Sequence, residues 1–130
     1  NLDSVDSIKA TKERGLNNST YKNEINKEIE VESTTLKKFT DDNNISHIDL
    51  LKIDVQGAED SVLRGANLSI VDNIIVEISL YDFYEKSSNF SDIEKILLPK
   101  GFYLHSILDI SHNPMNGRTD WVEVMYKKIL

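Results

Sequence analysis

The sequence IDLLKIDVQGAE at residues 48–59 combines a dense apolar run with an abrupt polar ending. Strands that are buried on both faces have near-continuous hydrophobic sequences, so residues 49–55 are predicted to form a central strand. Asp54 and Gln56 then stand where this strand passes into a loop. Because ligands of open α/β sheets bind outside the carboxyl ends of the strands, we expect a functional site at these two residues.

A short helix is predicted directly after this strand, over residues 58–66. Glu59 and Asp60 lie in its first turn, where the helix dipole favours negative charge, and Arg64 lies in its last turn. Gly65 is expected to end the helix in a left-handed conformation. A strand, an acid, a glycine and a helix in this order are typical of half a βαβ unit.

The FkbM family of methyltransferases has a central signature that this chain closely resembles, with DLLKIDVQGAE at residues 49–59 and VLRGA at residues 62–66. The resemblance implies a Rossmann-like fold, S-adenosylmethionine as the methyl donor, and hydroxyl oxygens of sugars or natural products as acceptors. It extends over roughly residues 29–127, which correspond to the second half of the family domain. Gln56 stands where the family usually has an acid.

The pattern and the resemblance together imply an α/β fold, namely a partial Rossmann-like methyltransferase sheet in three αβα layers that ends in an antiparallel β-hairpin. The hairpin is predicted because two late strands are joined by a loop without a helix. Besides the central strand and its helix, we predict strands at 28–32, 74–78, 102–108 and 121–126 and a short helix after Ser33–Thr35. A further helix is predicted to begin with a capping box, in which Ser91 is the N-cap and Glu94 its partner, and to end at Pro99 and Gly101.

Two segments are predicted along the chain. Residues 1–28 are expected to form a polar N-terminal arm, and residues 29–130 the C-terminal part of a methyltransferase domain. The five glycines include no G-x-G pair, which the cofactor-binding turn of this fold class needs. We therefore expect no cofactor-binding residues of this kind in the chain, and little activity from the chain in isolation.

One edge of the central strand is predicted to lack a neighbour, because the strands that precede it in the family domain are missing. A long apolar edge invites pairing with another chain. We expect this chain to form a homo-oligomer through that edge, or to add its own N-terminal arm to it.

The composition argues against several classes of partner. The chain has 22 acidic and 15 basic residues, a formal net charge of −7 and no basic run, so nucleic acid is not an expected partner. No apolar run approaches the roughly 20 residues of a membrane span, and no signal-peptide pattern is present. There are no cysteines, which suits a reducing compartment. We expect a cytoplasmic protein without a membrane partner.

Asp54 is the candidate catalytic base, since methyl transfer to a hydroxyl oxygen requires removal of its proton. The carboxylate could instead orient the acceptor, bind a metal or cap the following helix. Gln56 shares the candidate catalytic position, although an amide keeps hydrogen bonding and loses basicity. Glu59 is expected to stabilise the start of the helix.

Three further residues are candidates for substrate binding. Glu77 interrupts the second buried strand and either lies on the rim of the cleft or reaches solvent or an Arg. Tyr81, with Phe83 and Tyr84, either stacks on a sugar or adenine ring or packs against the next helix. His112 lies on a loop that is expected to approach the substrate. The three histidines show no metal-ligand spacing, so no metal site is predicted.

The function predicted from these residues and the resemblance is that of an S-adenosylmethionine-dependent methyltransferase acting on a small-molecule hydroxyl acceptor. One alternative is a non-catalytic interaction or assembly module that keeps half of the fold. Another is a flavodoxin-like regulator with Asp54 as an acceptor acid, although the closing hairpin argues against it.

Overall fold

The computed structural model describes residues 30–81 and 88–129. Helices and strands alternate along most of this part, as in an α/β protein, with two short 3₁₀ turns, at Leu68–Ile70 and Leu98–Lys100. The elements in chain order are α1 (Leu36–Asp42), β1 (Ile48–Ile53), α2 (Glu59–Arg64), β2 (Val71–Ser79), α3 (Phe90–Leu97), β3 (Phe102–His112) and β4 (Thr119–Lys128).

The four strands form one mixed sheet in the order β1-β2-β4-β3. β1 and β2 are parallel and are connected through α2, whereas β4 is antiparallel to both β2 and β3. The predicted antiparallel hairpin is therefore confirmed. β1 lies at one edge of the described sheet.

The hydrophobic core lies on one face of this sheet. Ile53, Val76 and Val124 are neighbours in register and are buried together. Leu63 of α2 and Ile93 of α3 belong to the same buried cluster, so both helices cover this face. Burying these side chains stabilises the fold by roughly 1.5–3 kcal/mol for each large aliphatic residue.

The opposite face is more open in the described part of the chain. Lys52, Ile75 and Met125 are in register there, and none of the three is buried. In the described part, α2 and α3 cover one face of the sheet, and a third layer on the opposite face stays a prediction. The near-continuous apolar sequence of β1 predicted burial on both faces of the strand, but Leu50 is 51% exposed.

Two helix starts test the capping predictions. Thr35 caps α1 as predicted, with its Oγ1 accepting a hydrogen bond from the backbone N–H of Lys38 at 3.1 Å. The capping box of α3 consists of Asn89 and Asp92 and lies two residues before the predicted pair. Asn89 Oδ1 accepts from the N–H of Asp92 at 3.1 Å, and the Asp92 carboxylate accepts from the N–H of Asn89 at 3.3 Å. Asn89 acts as the N-cap because its side chain reaches the backbone N–H of the third helical residue.

Other predicted boundaries also differ from the structure. Residues 30–32 are exposed and outside any strand. Gly65 ends α2 with a φ of −83°, so the prediction of a left-handed conformation for this residue was wrong. Gly101 does adopt that conformation at the end of its 3₁₀ turn, with a φ of +81°. β3 and β4 both extend further than predicted. In β3, register shifts interrupt the alternation of apolar residues on which the prediction relied.

The longest helix among the described residues is α3, with eight residues. No described helix has the length and apolar character needed to cross a membrane.

Candidate active site at the carboxyl end of the sheet

The carboxyl ends of β1 and β2 and the connection between β3 and β4 lie at the same end of the sheet, because β4 runs antiparallel to β2. Asp54 is the first residue after β1 and is exposed. Gln56 follows with a φ of +55°, a left-handed conformation that is uncommon for a residue other than glycine. Its Nε2 donates a hydrogen bond to Asp54 Oδ1 at 3.0 Å. The structure thus brings the two predicted catalytic residues together.

A buried carboxylate fixes the turn that carries these residues. Glu59 is only 4% exposed. Its Oε1 accepts from the backbone N–H of Gly57 at 2.9 Å, and its Oε2 accepts from the hydroxyl of Ser88 at 2.8 Å. The N–H of Ser88 in turn donates to the carbonyl of Gly57 at 3.0 Å. Glu59 therefore stabilises the turn from within the protein, in addition to lying in the first turn of α2.

Two conclusions about the predicted roles follow from this arrangement. The N-cap of α2 is Ala58, without a side-chain hydrogen bond, so Asp54 does not cap that helix. Ser88 was missed because it lies 29 residues from Glu59 and no local pattern links them.

Glu77 lies next to this turn, on the more open face of the sheet. Ile53 pairs with Val76, so the residues that follow them, Asp54 and Glu77, are neighbours. Partial burial raises the pKa of Glu77, and the negative charges of Asp54, Glu59 and Glu123 raise it further, while Lys52 opposes them. Lys52 is itself ion-paired with Glu123 across the face. Glu77 thus lies on the rim of the site in an environment that favours its protonated form.

Tyr81 is held by the connection between β3 and β4. The guanidinium of Arg118 lies over its ring, 3.4 Å from the ring centre. Arg118 also donates to Asp120 through Nε at 2.8 Å and Nη2 at 2.7 Å. Asp120 is buried, and its carbonyl accepts from the N–H of Leu80 at 2.9 Å. Stacking of a ligand on Tyr81 stays a prediction, and Phe83 and Tyr84 lie outside the described residues.

His112 is the last residue of β3 and not part of the loop that was predicted from residue 109 onwards, because β3 pairs with β4 as far as Thr119. It is exposed on the rim of the same end of the sheet. Its Nδ1 lies 3.3 Å from the hydroxyl of Thr119, the first residue of β4. Its predicted role in substrate binding stays a prediction.

Two cavities of the described part lie elsewhere. One, of about 710 Å³, lies between the ends of α2 and α3, and the other, of about 580 Å³, lies beside α1. Asp54 and Gln56 are exposed in the described part, so their carboxylate and amide groups are accessible from solvent.

The sequence of the chain matches a known protein family. Residues 3–104 match the model of the methyltransferase FkbM domain. The chain belongs to this family. A curated relative of the FkbM-family chain, named "Methyltransferase 1", from Beauveria bassiana (strain ARSEF 2860), is 33% identical over 79 residues. The aligned part covers 58% of this chain and 30% of the relative, so the chain spans less than a third of it. No solved structure matches.

The family match differs in extent from the resemblance noted in the sequence. It begins at residue 3, within the segment predicted to be an arm, and it ends in β3. Asp54, Gln56, Glu77 and Tyr81 lie inside the matched range, whereas His112 lies beyond it. Residues 1–29 lie outside the described part, so the boundary between arm and domain stays a prediction.

Proposed function

We propose that this FkbM-family chain is part of an S-adenosylmethionine-dependent methyltransferase that methylates a hydroxyl oxygen of a small molecule. The observation that carries the proposal is the exposed Asp54 carboxylate at the carboxyl end of β1, oriented by the amide of Gln56. The family match and the relative's name support methyl transfer over an interaction module or a flavodoxin-like regulator.

The described residues belong to the acceptor side of this reaction. None of the glycines at positions 57, 65, 101 and 117 is part of a G-x-G turn, so the described part offers no cradle of that kind for the cofactor. The bound donor would supply an electrophilic methyl group. The residues of this chain would bind the acceptor, orient it and remove its proton.

Asp54 is the proposed proton acceptor. The bound donor would give up its methyl group by breaking the sulfur–carbon bond and leave as S-adenosylhomocysteine. The carboxylate of Asp54 would take the proton that the acceptor hydroxyl loses. The Nε2 of Gln56 donates to Oδ1, which leaves the second carboxylate oxygen for the substrate. An amide at position 56 can donate this hydrogen bond, whereas an ionised acid would repel Asp54. Gln56 is therefore a positioning residue.

Glu77 is proposed to bind the acceptor. Burial and the neighbouring negative charges raise the pKa of Glu77. Its carboxyl oxygens would accept hydrogen bonds from hydroxyl groups of the substrate. Tyr81 would supply an aromatic surface for a sugar ring, beside the guanidinium of Arg118.

The substitution Asp54→Asn tests the proposal. Methyl transfer is measured by the release of S-adenosylhomocysteine with a panel of sugars and hydroxylated natural products, using a protein that includes this chain and binds S-adenosylmethionine. We expect Asp54→Asn to lower kcat about 100-fold or more, the usual contribution of a positioned base. The control is Asp109→Asn, an exposed acid on β3, which should leave kcat unchanged.

The unfolding midpoints of both variants are measured alongside kcat. If Asp54→Asn retains full turnover and normal stability, Asp54 is not the base. If no hydroxyl acceptor is methylated by the unmodified protein, the proposal of O-methylation fails.

A further inference from the structure

We propose that His47, Asp49 and Asp72 form a binding site for a divalent transition-metal ion. The site lies at the amino end of β1 and β2, opposite the candidate active site. His47 directly precedes β1, Asp49 is the second residue of β1, and Asp72 is the second residue of β2. β1 and β2 are parallel neighbours, so their first residues lie side by side.

The distances between the three side chains are those of ligands around one small ion. His47 Nε2 lies 3.3 Å from Asp49 Oδ1 and 3.4 Å from Asp72 Oδ2. All three ligand atoms lie within 4.8 Å of one another. Zn²⁺ binds nitrogen and oxygen ligands at about 2.0–2.2 Å, so neighbouring ligands of a tetrahedral site are about 3.4 Å apart. Two of the three separations therefore already have the required length.

The ligand types indicate the class of ion. One imidazole nitrogen and two carboxylate oxygens suit Zn²⁺, Co²⁺ and Ni²⁺, whereas Mg²⁺ and Ca²⁺ prefer oxygen ligands alone. Two carboxylates neutralise the charge of a divalent ion, and the net charge of −7 favours its approach. All three side chains are exposed, so the ion can enter, and its remaining coordination position is left for water or an external ligand.

This site could not be predicted from the sequence, because one of its ligands comes from the neighbouring strand. His47 and Asp49 are two residues apart, but Asp72 is brought to them by the β1–β2 pairing. The same geometry also suits a protonated imidazole that is ion-paired with both acids. The two states differ in whether a metal displaces the proton.

The test titrates Zn²⁺ into the 130-residue chain by calorimetry, and Co²⁺ while its visible absorption is recorded. We expect one ion per chain, with the strong visible bands of Co²⁺ in a tetrahedral site. His47→Ala should weaken Zn²⁺ binding tenfold or more. The control is His105→Ala, which removes an exposed histidine from β3, away from the cluster, and should bind Zn²⁺ as the unmodified chain does.

A second measurement keeps the test independent of substitutions. In the unmodified chain, Zn²⁺ should shift the NMR signals of the His47 ring and leave those of His105 in place. Absence of Zn²⁺ binding, equal binding by His47→Ala, or an unchanged His47 ring would overturn the proposal in favour of the ion pair. An equal response to Mg²⁺ would overturn the choice of a transition metal.

Discussion

At the scale of single residues, the turn after β1 depends on one buried acid. Glu59 accepts hydrogen bonds from the backbone of Gly57 and from the hydroxyl of Ser88, and it holds the loop that presents Asp54. The sequence could predict that Asp54 and Gln56 stand at a strand end, since that follows from the local apolar pattern. It could not predict Ser88 or the proximity of Asp54 to Glu77, because these depend on how distant segments pack.

Removing the Glu59 carboxylate should destabilise the fold. Glu59→Ala removes the buried carboxylate that accepts from the N–H of Gly57 and the hydroxyl of Ser88, which costs about 1–3 kcal/mol in the free energy of unfolding. Urea denaturation measures the loss. Glu32→Ala, at an exposed position outside the helices and strands, is the control and should change stability by less than about 0.5 kcal/mol. Equal effects of the two substitutions would contradict the structural role of Glu59.

The raised pKa of Glu77 predicts how stability changes with pH. A folded-state pKa above the unfolded value favours the protonated folded state. This contribution is present below the ordinary pKa of 4.5 and is lost as pH rises through the folded pKa. Glu77→Gln removes the ionised form. It should therefore stabilise the protein at pH 7, by less than about 1 kcal/mol because the side chain is partly exposed, with a smaller gain at pH 4.

Urea unfolding of both proteins at pH 4 and pH 7 measures these differences. An equal gain at the two pH values would show that ionisation of Glu77 is not the cause.

At the scale of elements, the existence and order of α1, β1, α2, β2, α3 and the final hairpin follow from sequence patterns, whereas their ends do not. The start of α3 depends on which polar side chain reaches the third helical N–H, and Asn89 does so with Asp92. Ser91 and Glu94 have the same spacing and were chosen from the sequence alone. β3 was predicted too short because its register shifts break the period of two on which the prediction relied.

The two candidate caps of α3 are distinguished by paired substitutions. Asn89→Ala should lower the free energy of unfolding by about 1 kcal/mol, because it removes the acceptor of the N–H of Asp92. Ser91→Ala, at an exposed position inside the first turn, should have little effect. The midpoints of thermal unfolding of the two variants provide the comparison, and a larger loss for Ser91→Ala would restore the cap that the sequence predicted.

At the scale of the whole molecule, the two edges of the described sheet differ. β3 carries register shifts along its pairing with β4, and such irregularities hinder the addition of another strand. β1 shows no register shift in its pairing with β2 and is an edge strand of the described sheet. The predicted self-association through β1 therefore remains our proposal for how this chain assembles.

Leu50 and Ile107 allow a matched test of that proposal. They are 51% and 56% exposed and lie on opposite edge strands. If two copies pair through β1, light scattering should show a dimer, and Leu50→Lys should shift it to the monomer while Ile107→Lys does not. A monomer at all concentrations would contradict the proposal, and protection of the β1 amides from hydrogen exchange in such a monomer would indicate pairing with the arm of the same chain.

The more open face of the sheet also contains the single tryptophan of the chain. Trp121 pairs with Ser79, in line with Glu123 and Met125, and is half-buried. The intrinsic fluorescence of this indole reports on the environment of the more open face. A polypeptide or small molecule that covered this face would remove water from the ring and move its fluorescence to shorter wavelength, with no label attached. Events on the helix-covered face would leave the emission colour almost unchanged.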